Sequence, residues 1–483
     1  MAGGIVPRLQ ITARSLKLGA GIIMMQNTFS SSADVFAWLS GFINLERGQT
    51  SKSFRPERME LLSALAGHPE KSAPVIHVAG SKGKGSVTGM IAAMLGKWGK
   101  KTARYTSPHV TEYRERVTLD GGFFEESCYI AAGEELRETL RVLPESGEKA
   151  ASLFDPAFPQ GEEPSFFELL TLYFFLCARR AGCDAMVVET GMGGRLDATN
   201  IVDPLASVIT SIELEHTEYL GNTIAAIAGE KAGIVKPRRP LVLMEQSPEA
   251  LEIFRKAAAD KGAPLSYFPE AAYIDDIRVD RNKTAFVLGF REREPFSGPL
   301  DLAVSIPGEI QAKNAGLAVL AVKTAFPAIS REALQEGLRG FTLPARFERL
   351  TDSPPLIIDG AHTPQSTEYC VKTFTSLYGE GGLLIFGCAA KKDARAMARI
   401  LAPHFSRVII TRPGTFKAGD PETVYRAFRE FKDGDSLVYI ADHEEAVRKL
   451  LALQQEAGLP ALGTGSFYLA ANIRIALRNE AEL

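Results

Sequence analysis

A chain of 483 residues with 45% hydrophobic content has room for two or three domains with substantial cores. Its 58 acidic and 55 basic side chains leave a net charge of -3, too small to recruit nucleic acid or an anionic membrane surface by electrostatics. Five scattered cysteines without a C-x-x-C argue against a disulfide framework or a zinc site and fit a reducing, cytoplasmic setting; no apolar run approaches the ~18 residues of a membrane span.

Residues 1–30 read as an extension outside the core. They carry Arg8, Arg14 and Lys17, no acid before Asp34, and a brief apolar stretch from Leu18 to Met25. The long apolar core and small-residue cleavage site of a secretory signal are both weak here. A transit peptide fits the composition, and so does a translation start at Met24 or Met25, the reading preferred. Two amphipathic helices follow, Phe36 to Ile43 and Pro56 to Leu65. Val75 to Val78 is then a β-branched apolar run that predicts a buried strand. It breaks into Gly80, Gly83 and Gly85 with Lys84 among them, and from Ser86 a helical pattern runs through Met90, Ile91, Met94 and Leu95.

A strand, a glycine loop with a lysine, and a helix together cradle a polyphosphate. Glycines let backbone N–H groups converge on the anion, the helix N-terminus adds positive potential, and the lysine neutralises the outer phosphates. The strict Walker spacing is not met. Val78 stands where the first glycine belongs, and Gly85 follows Lys84 where a hydroxyl residue belongs, with Ser86 one place later.

Thr102 to Thr106 reads as a second strand, ending in Ser107-Pro108-His109. The stretch from Leu143 to Pro164, with four prolines and two glycines, predicts a surface insertion. The helix Phe166 to Arg179 is apolar almost all round and therefore buried. Strands at Ala185 to Val188, Ser207 to Ile212 and Pro240 to Met244 complete an alternation that predicts a parallel sheet covered on both faces. The pattern restarts after Leu343-Pro344-Ala345-Arg346. Four short strands, Leu356 to Ile358, Leu383 to Phe386, Val408 to Ile410 and Leu437 to Ile440, alternate with helices near Gln365 to Leu377, Ala394 to Leu401, Pro421 to Phe431 and Glu444 to Leu453. The fold class is thus α/β: a P-loop parallel-sheet domain over residues 31–345, then a smaller Rossmann-like domain over 346–483. The second lacks G-x-G-x-x-G after its first strand and reads as a substrate domain.

Ligands of open α/β sheets bind beyond the carboxyl ends of the strands. In the first domain those ends are the glycine loop, Ser107-Pro108-His109, the run from Glu189 to Asp197, and Glu213-Leu214-Glu215-His216. Taken singly, Glu189 is readable as a turn cap and His216 as an ordinary half-buried histidine. Together they supply the hydroxyl, carboxylate and imidazole of a Mg²⁺–nucleotide site.

The run from His77 to Ser86 resembles the ATP loop of folylpolyglutamate and dihydrofolate synthases of the Mur ligase superfamily. The resemblance continues in family order through Tyr105-Thr106-Ser107-Pro108-His109 with Glu115-Arg116, Glu189 to Asn200, and His216 with Leu220-Gly221. It extends through Ala228 to Ile234, Gln311 with Asn314-Ala315, Arg346-Phe347-Glu348, Asp359-Gly360-Ala361-His362 and Thr464-Gly465-Ser466.

The resemblance implies an ATP-dependent ligase that activates a carboxylate as an acyl phosphate and then joins it to L-glutamate. Gly80, Ser81, Gly83, Lys84, Gly85 and Ser86 match the ATP loop, with Asn314 and Arg346 also reaching the nucleotide. Ser107, Glu189 and His216 match the ligands of two Mg²⁺ ions, and a monovalent cation is compatible with the family. Lys231 matches a lysine that is carbamylated. Asp359, His362 and Ser466 match the residues that receive the incoming glutamate. The implied partners are therefore small molecules, folate or dihydropteroate and L-glutamate, and a monomer is the default. This chain departs from the family at Lys82 (usually Asn), Glu215 (usually Asp), Thr363 (usually Asn) and Lys391 (usually Asp), which bears on substrate choice more than on catalysis. Two other readings use the same phosphate loop: a Mur-type ligase acting on a cell-wall precursor, and an ATPase switch that ignores amino acids.

Overall fold

The structure is a computed structural model that describes residues 28–44, 55–154, 162–291, 296, 298–390, 392–414 and 419–481. Residues 1–27, part of the expected insertion, and Lys391 lie outside the described residues. The chain divides into two compact units, residues 1–45, 49–72 and 125–181 forming the first and the remainder the second. Among the described residues no helix is long and apolar enough to cross a membrane.

The first unit is helical. Ser31 caps the helix Ser32–Leu39 by accepting from the Asp34 N–H, which starts it earlier than the hydrophobic pattern suggested. Phe29 is buried, with its N–H donating to Glu134 at 2.7 Å, so packing begins within the expected extension. The long helix Phe166–Arg180 opens on a Ser165–Glu168 capping box. The same Glu168 pairs at 2.7 Å with Arg58, a fully buried side chain of the helix Pro56–Leu65. Arg58 also donates to the carbonyls of Leu153, Glu162 and Glu163, and its guanidinium lies 4.4 Å from the Phe154 ring centre. The described part of the expected insertion therefore packs into the unit. It contains the helix Gly147–Phe154, whose Ala150, Leu153 and Phe154 are buried, because this arginine needs the segment's carbonyls to satisfy its donors.

The second unit holds three sheets. The strands of the first are β1 (Val75–Ala79), β2 (Thr102–Tyr105), β3 (Val117–Leu119), β4 (Ala185–Glu189), β5 (Ala206–Ile209), β6 (Leu241–Leu243) and β7 (Leu265–Tyr267). They lie in the order β3-β2-β4-β1-β5-β6-β7, all parallel except edge strand β3, which pairs antiparallel with β2. β1, β4, β5 and β6 are buried along their whole length, which is why they read as continuous apolar runs. β5 stops at Ile209, short of the expected Ile212, which frees residues 210–216 to form the loop beyond it.

β8 (Ala272–Val279), β9 (Thr284–Phe290) and β10 (Leu300–Val304) form an antiparallel sheet that the alternation pattern did not predict. The third sheet comprises β11 (Glu348–Asp352), β12 (Pro355–Ile358), β13 (Gly382–Phe386), β14 (Phe405–Ile410), β15 (Leu437–Tyr439) and β16 (Ala461–Thr464), in the order β11-β12-β16-β13-β14-β15. It has six strands where four were expected. β11 is a polar, antiparallel edge with no apolar run, and β16 is a four-residue strand containing Gly463. The helix Lys84–Lys97 packs on the helix Arg331–Gly340 at Gly337, where an added Cβ would fall 2.5 Å from the Met94 Cα. That close approach anchors the helix near its C-terminal end, three turns from the glycine loop.

Candidate active site

The loop after β1 is built by two glycines that no other residue can replace. Gly80 has φ +145°, and a Cβ there would lie 1.8 Å from Thr210 Oγ1; Gly83 has φ +86°, and its Cβ would lie 2.6 Å from Asn314 Oδ1. The helix starts at Lys84, two residues before the pattern indicated, so the loop feeds directly into a helix N-terminus. Ser81 N–H donates to Ser211 O at 2.8 Å and Ser81 Oγ to Glu213 O at 3.0 Å, tying the loop to the segment after β5. Lys84 Nζ folds back onto its own loop, donating to Gly80 O at 2.9 Å. Ser86 is buried and lines the adjoining cleft.

Gly80 O accepts a second ammonium. Lys231, buried on the helix Ile224–Ala232, donates to it at 2.7 Å and to Glu215 at 2.9 Å. Burial lowers the Lys231 amine to about 8 against the pull of Glu215. Burial alone would raise the Glu215 carboxyl, but Lys84, Lys231 and Lys82 bring it down to about 2. The Glu215 departure thus supplies the partner of Lys231. His216, next along, is exposed and adopts a left-handed φ of +46°. Desolvation by the neighbouring protein, with Lys84, Lys392 and Lys231, lowers it to about 4 despite Glu215. The imidazole is therefore mainly neutral at pH 7.

Glu189, at the end of β4, is buried; among the described residues its one hydrogen bond is accepted from Ser107 N–H at 3.3 Å. Burial pushes it up to about 7, with Lys84, the Ser107 N–H, Arg346 and Arg116 pulling the other way. A buried carboxylate with a single weak donor beside a serine suits a hard cation that keeps several waters and takes few protein ligands. Ser107 and Glu189 are brought together by a hydrogen bond, and His216 lies beside Glu215 on the loop after β5. Among the described residues no three His, Cys, Asp or Glu side chains form a ready metal-binding group.

The loop opens into a cleft of about 440 Å³ whose lining includes Lys82, Gly83, Ser86, Asn314, Arg346, Asp359 and His362. Asn314 is buried, its amide donating to Gln311 at 3.2 Å. Arg346 sits between two residues with left-handed backbone, Ala345 (φ +53°) and Phe347 (φ +42°), a strained junction held by its surroundings. The Arg346 guanidinium lies 4.3 Å from the Phe467 ring centre; burial lowers its basicity, while Asp359 and Glu189 attract it. Asp359 accepts from Phe347 N–H at 2.8 Å and Ala361 N–H at 2.7 Å, so it fixes both the junction and the loop after β12. Ser466 caps the turn into the helix Phe467–Ala481 by accepting from Tyr468 N–H. Thr363 keeps the capping function where the family has Asn: it forms a capping box with Ser366 ahead of Pro364.

His362 Nδ1–H donates to Gly360 O at 2.8 Å, which leaves Nε2 as an acceptor, and Lys82 Nζ meets it at 3.4 Å. Burial and the charges of Lys82 and Lys392 hold His362 well below its ordinary value. Lys82 itself is lowered to about 8 by burial, against the attraction of Glu215. Sequence reasoning missed Gln246, which bridges Thr210 O (2.8 Å) and Ile212 N–H (3.3 Å). The strand-end rule covers it, since it lies just beyond β6.

Comparison with known proteins gives the class first. Models of the Mur ligase middle domain and of the Mur ligase glutamate ligase domain match residues 150–322 and 345–467. A Bacillus subtilis dihydrofolate synthase/folylpolyglutamate synthase is 30% identical over 93% of this chain and 100% of its own length. A probable bifunctional folylpolyglutamate synthase/dihydropteroate synthase of Haloferax volcanii is 34% identical over 76% of this chain, which spans 42% of that longer protein. The solved Mycobacterium tuberculosis folylpolyglutamate synthase complexed with ADP superposes with a TM-score of 0.80 at 28% identity, covering 92% of this chain and 98% of that one. The chain belongs to the folylpolyglutamate synthase/dihydrofolate synthase family of Mur ligases.

The loop geometry makes a direct prediction. Gly80→Ala abolishes binding of a fluorescent ADP analogue while circular dichroism stays unchanged, because its Cβ collides with Thr210. Gly229→Ala, which meets nothing within 4 Å, binds like the parent. Normal nucleotide binding by Gly80→Ala would refute the loop assignment.

Proposed function

We propose that this chain is an ATP-dependent ligase that forms an amide between a folate-type carboxylate, that of dihydropteroate or of a (poly)glutamyl folate, and L-glutamate. The observation that carries the reading is one cleft lined both by the phosphate loop and by the Asp359–His362 strand end. Donors for a polyphosphate and the residues matched to an amino acid therefore share one cleft. Relatives support the acceptor class: a solved relative is described as an FPGS–AMPPCP–folate complex, at 26% identity and a TM-score of 0.76.

The chemistry follows from the donors. With ATP bound, Lys84 leaves the Gly80 carbonyl for the β/γ-phosphates, a stronger, charge-assisted partner. A carboxylate oxygen attacks the γ-phosphorus, the bridging P–O bond breaks, and ADP departs with the electron pair. Lys84 and Arg346 stabilise the spreading negative charge through preorganised donors. The glutamate amine, having lost a proton, attacks the acyl carbon, the C–O bond to phosphate breaks, and inorganic phosphate leaves. The neutral His362 Nε2 faces this step as an acceptor. Asp359 acts as a positioning residue, holding the Arg346 junction and the His362 loop in register. Ser107, Glu189 and His216 would hold Mg²⁺, two ions in this reading, which when bound neutralises the phosphate oxygens. Residues 31–345 would carry ATP and residues 346–483 the amino acid, in a monomeric, cytoplasmic enzyme with small-molecule partners only.

Lys231 is read as a carbamylation site. At about 8 its amine is partly neutral near pH 7, as reaction with CO₂ requires. Lys231→Ala should be inactive and partly restored by millimolar short carboxylates; full activity without them would refute the carbamate.

The function is tested by phosphate release from purified protein with Mg-ATP and L-glutamate, comparing dihydropteroate, tetrahydrofolate and no acceptor. Release that requires both glutamate and an acceptor is expected, and the acceptor that works assigns dihydrofolate synthase, polyglutamylase or both. Release indifferent to both would leave an ATPase switch.

A further inference from the structure

We propose that Lys82 is a specificity-determining residue of this ligase, its ammonium group receiving a carboxylate of the incoming amino acid where the phosphate loop meets the His362 loop. The inference rests on the ligase reading above and deepens it.

The backbone of Lys82 is fixed on the phosphate-loop side. Its N–H donates to Ser211 O at 3.4 Å and its carbonyl accepts from Ser211 Oγ at 3.4 Å. The side chain leaves the loop in the other direction, into the cleft, and ends beside a residue 280 positions further along the chain, His362. That histidine belongs to the strand end matched to the amino acid.

Partner accounting singles this ammonium out. It has three donors, and its hydrogen bonding among the described residues is one long contact, 3.4 Å, to a neutral imidazole nitrogen. Several nearby cations are already engaged, and Lys392 adds its charge near both Lys82 and His362. Lys84 donates to Gly80 O, Lys231 is paired with Glu215, Lys313 with Glu245, and Arg346 lies on Phe467 facing Asp359. Glu213 and Glu215 attract Lys82 without forming an ion pair with it. A partly buried ammonium with unfilled donors, held at the rim of a cleft, is a site for an external anion. The neighbouring His362 cannot supply the positive charge, because Nδ1–H is committed to Gly360 O and the ring is kept neutral. A carboxylate seated here would bond Lys82 Nζ and leave His362 Nε2 free towards the amine.

The test measures initial rates of phosphate release by the full-length protein at saturating Mg-ATP and acceptor while L-glutamate is varied. Lys82→Met should raise KM for glutamate on the order of ten- to a hundredfold, the worth of a charge-assisted hydrogen bond, with KM for ATP unchanged. Lys82→Arg should recover most of the loss, and unchanged affinity for an ADP analogue in both variants checks that the loop is intact. L-glutamine as competitor identifies the carboxylate: discrimination collapses in Lys82→Met if the side-chain carboxylate is bound and persists if the α-carboxylate is. A rise in KM for ATP with KM for glutamate unchanged would make Lys82 a phosphate contact and overturn the proposal, as would no change in either. Failure of the unmodified protein to require glutamate is a different result, which removes the ligase reading itself.

Discussion

Two lysine ammonium groups share one carbonyl oxygen, that of Gly80, with Lys84 at 2.9 Å and Lys231 at 2.7 Å. Concentrating positive charge in a partly buried loop is unfavourable, and the structure compensates it with few acids. Glu215 pairs directly with Lys231, and its carboxyl is driven to about 2 by the three lysines around it. Lys82 and Lys231 are both lowered to about 8. The loop therefore stores an excess of positive potential that a polyphosphate relieves, and the glycines at 80 and 83 exist to let the backbone pass through it.

The third sheet is coupled to that loop through charge as well as packing. Arg346 faces both Glu189, at the end of β4, and Asp359, at the end of β12. The strained residues on either side of it are held by Asp359 and by Glu348, which accepts from Ala345 N–H at 2.8 Å. A guanidinium attracted by carboxylates at the strand ends of two sheets links the amino-acid end of the cleft to the phosphate end. Positioning is the larger part of phosphoryl and acyl transfer, so this junction matters as much as any group that touches substrate.

Much of this was legible in the sequence because the relevant information is local. β1, β4, β5 and β6 are buried on both faces and so write unbroken apolar runs, and the loop glycines sit at fixed offsets from Lys84. The strands that escaped notice lack that signature: β3 and β7 are three-residue edges, β11 is a polar edge, β16 carries a glycine, and β8 to β10 are half-exposed strands far from the βα alternation. The pairings that give the site its electrostatics were invisible for another reason. Lys82 with His362 and Lys231 with Glu215 are contacts across the fold, and no local pattern encodes them. Residues at strand ends could be named in advance; which of them satisfy one another could not.

The central claim is that this cleft transfers the γ-phosphoryl group of ATP to a carboxylate. The most direct measurement uses an acceptor labelled with oxygen-18 in the reacting carboxylate and mass spectrometry of the released phosphate. Acyl phosphate formation places one labelled oxygen in inorganic phosphate for each amide formed. Unlabelled phosphate would mean that water attacked ATP, and label in AMP would mean adenylylation; either would contradict the account.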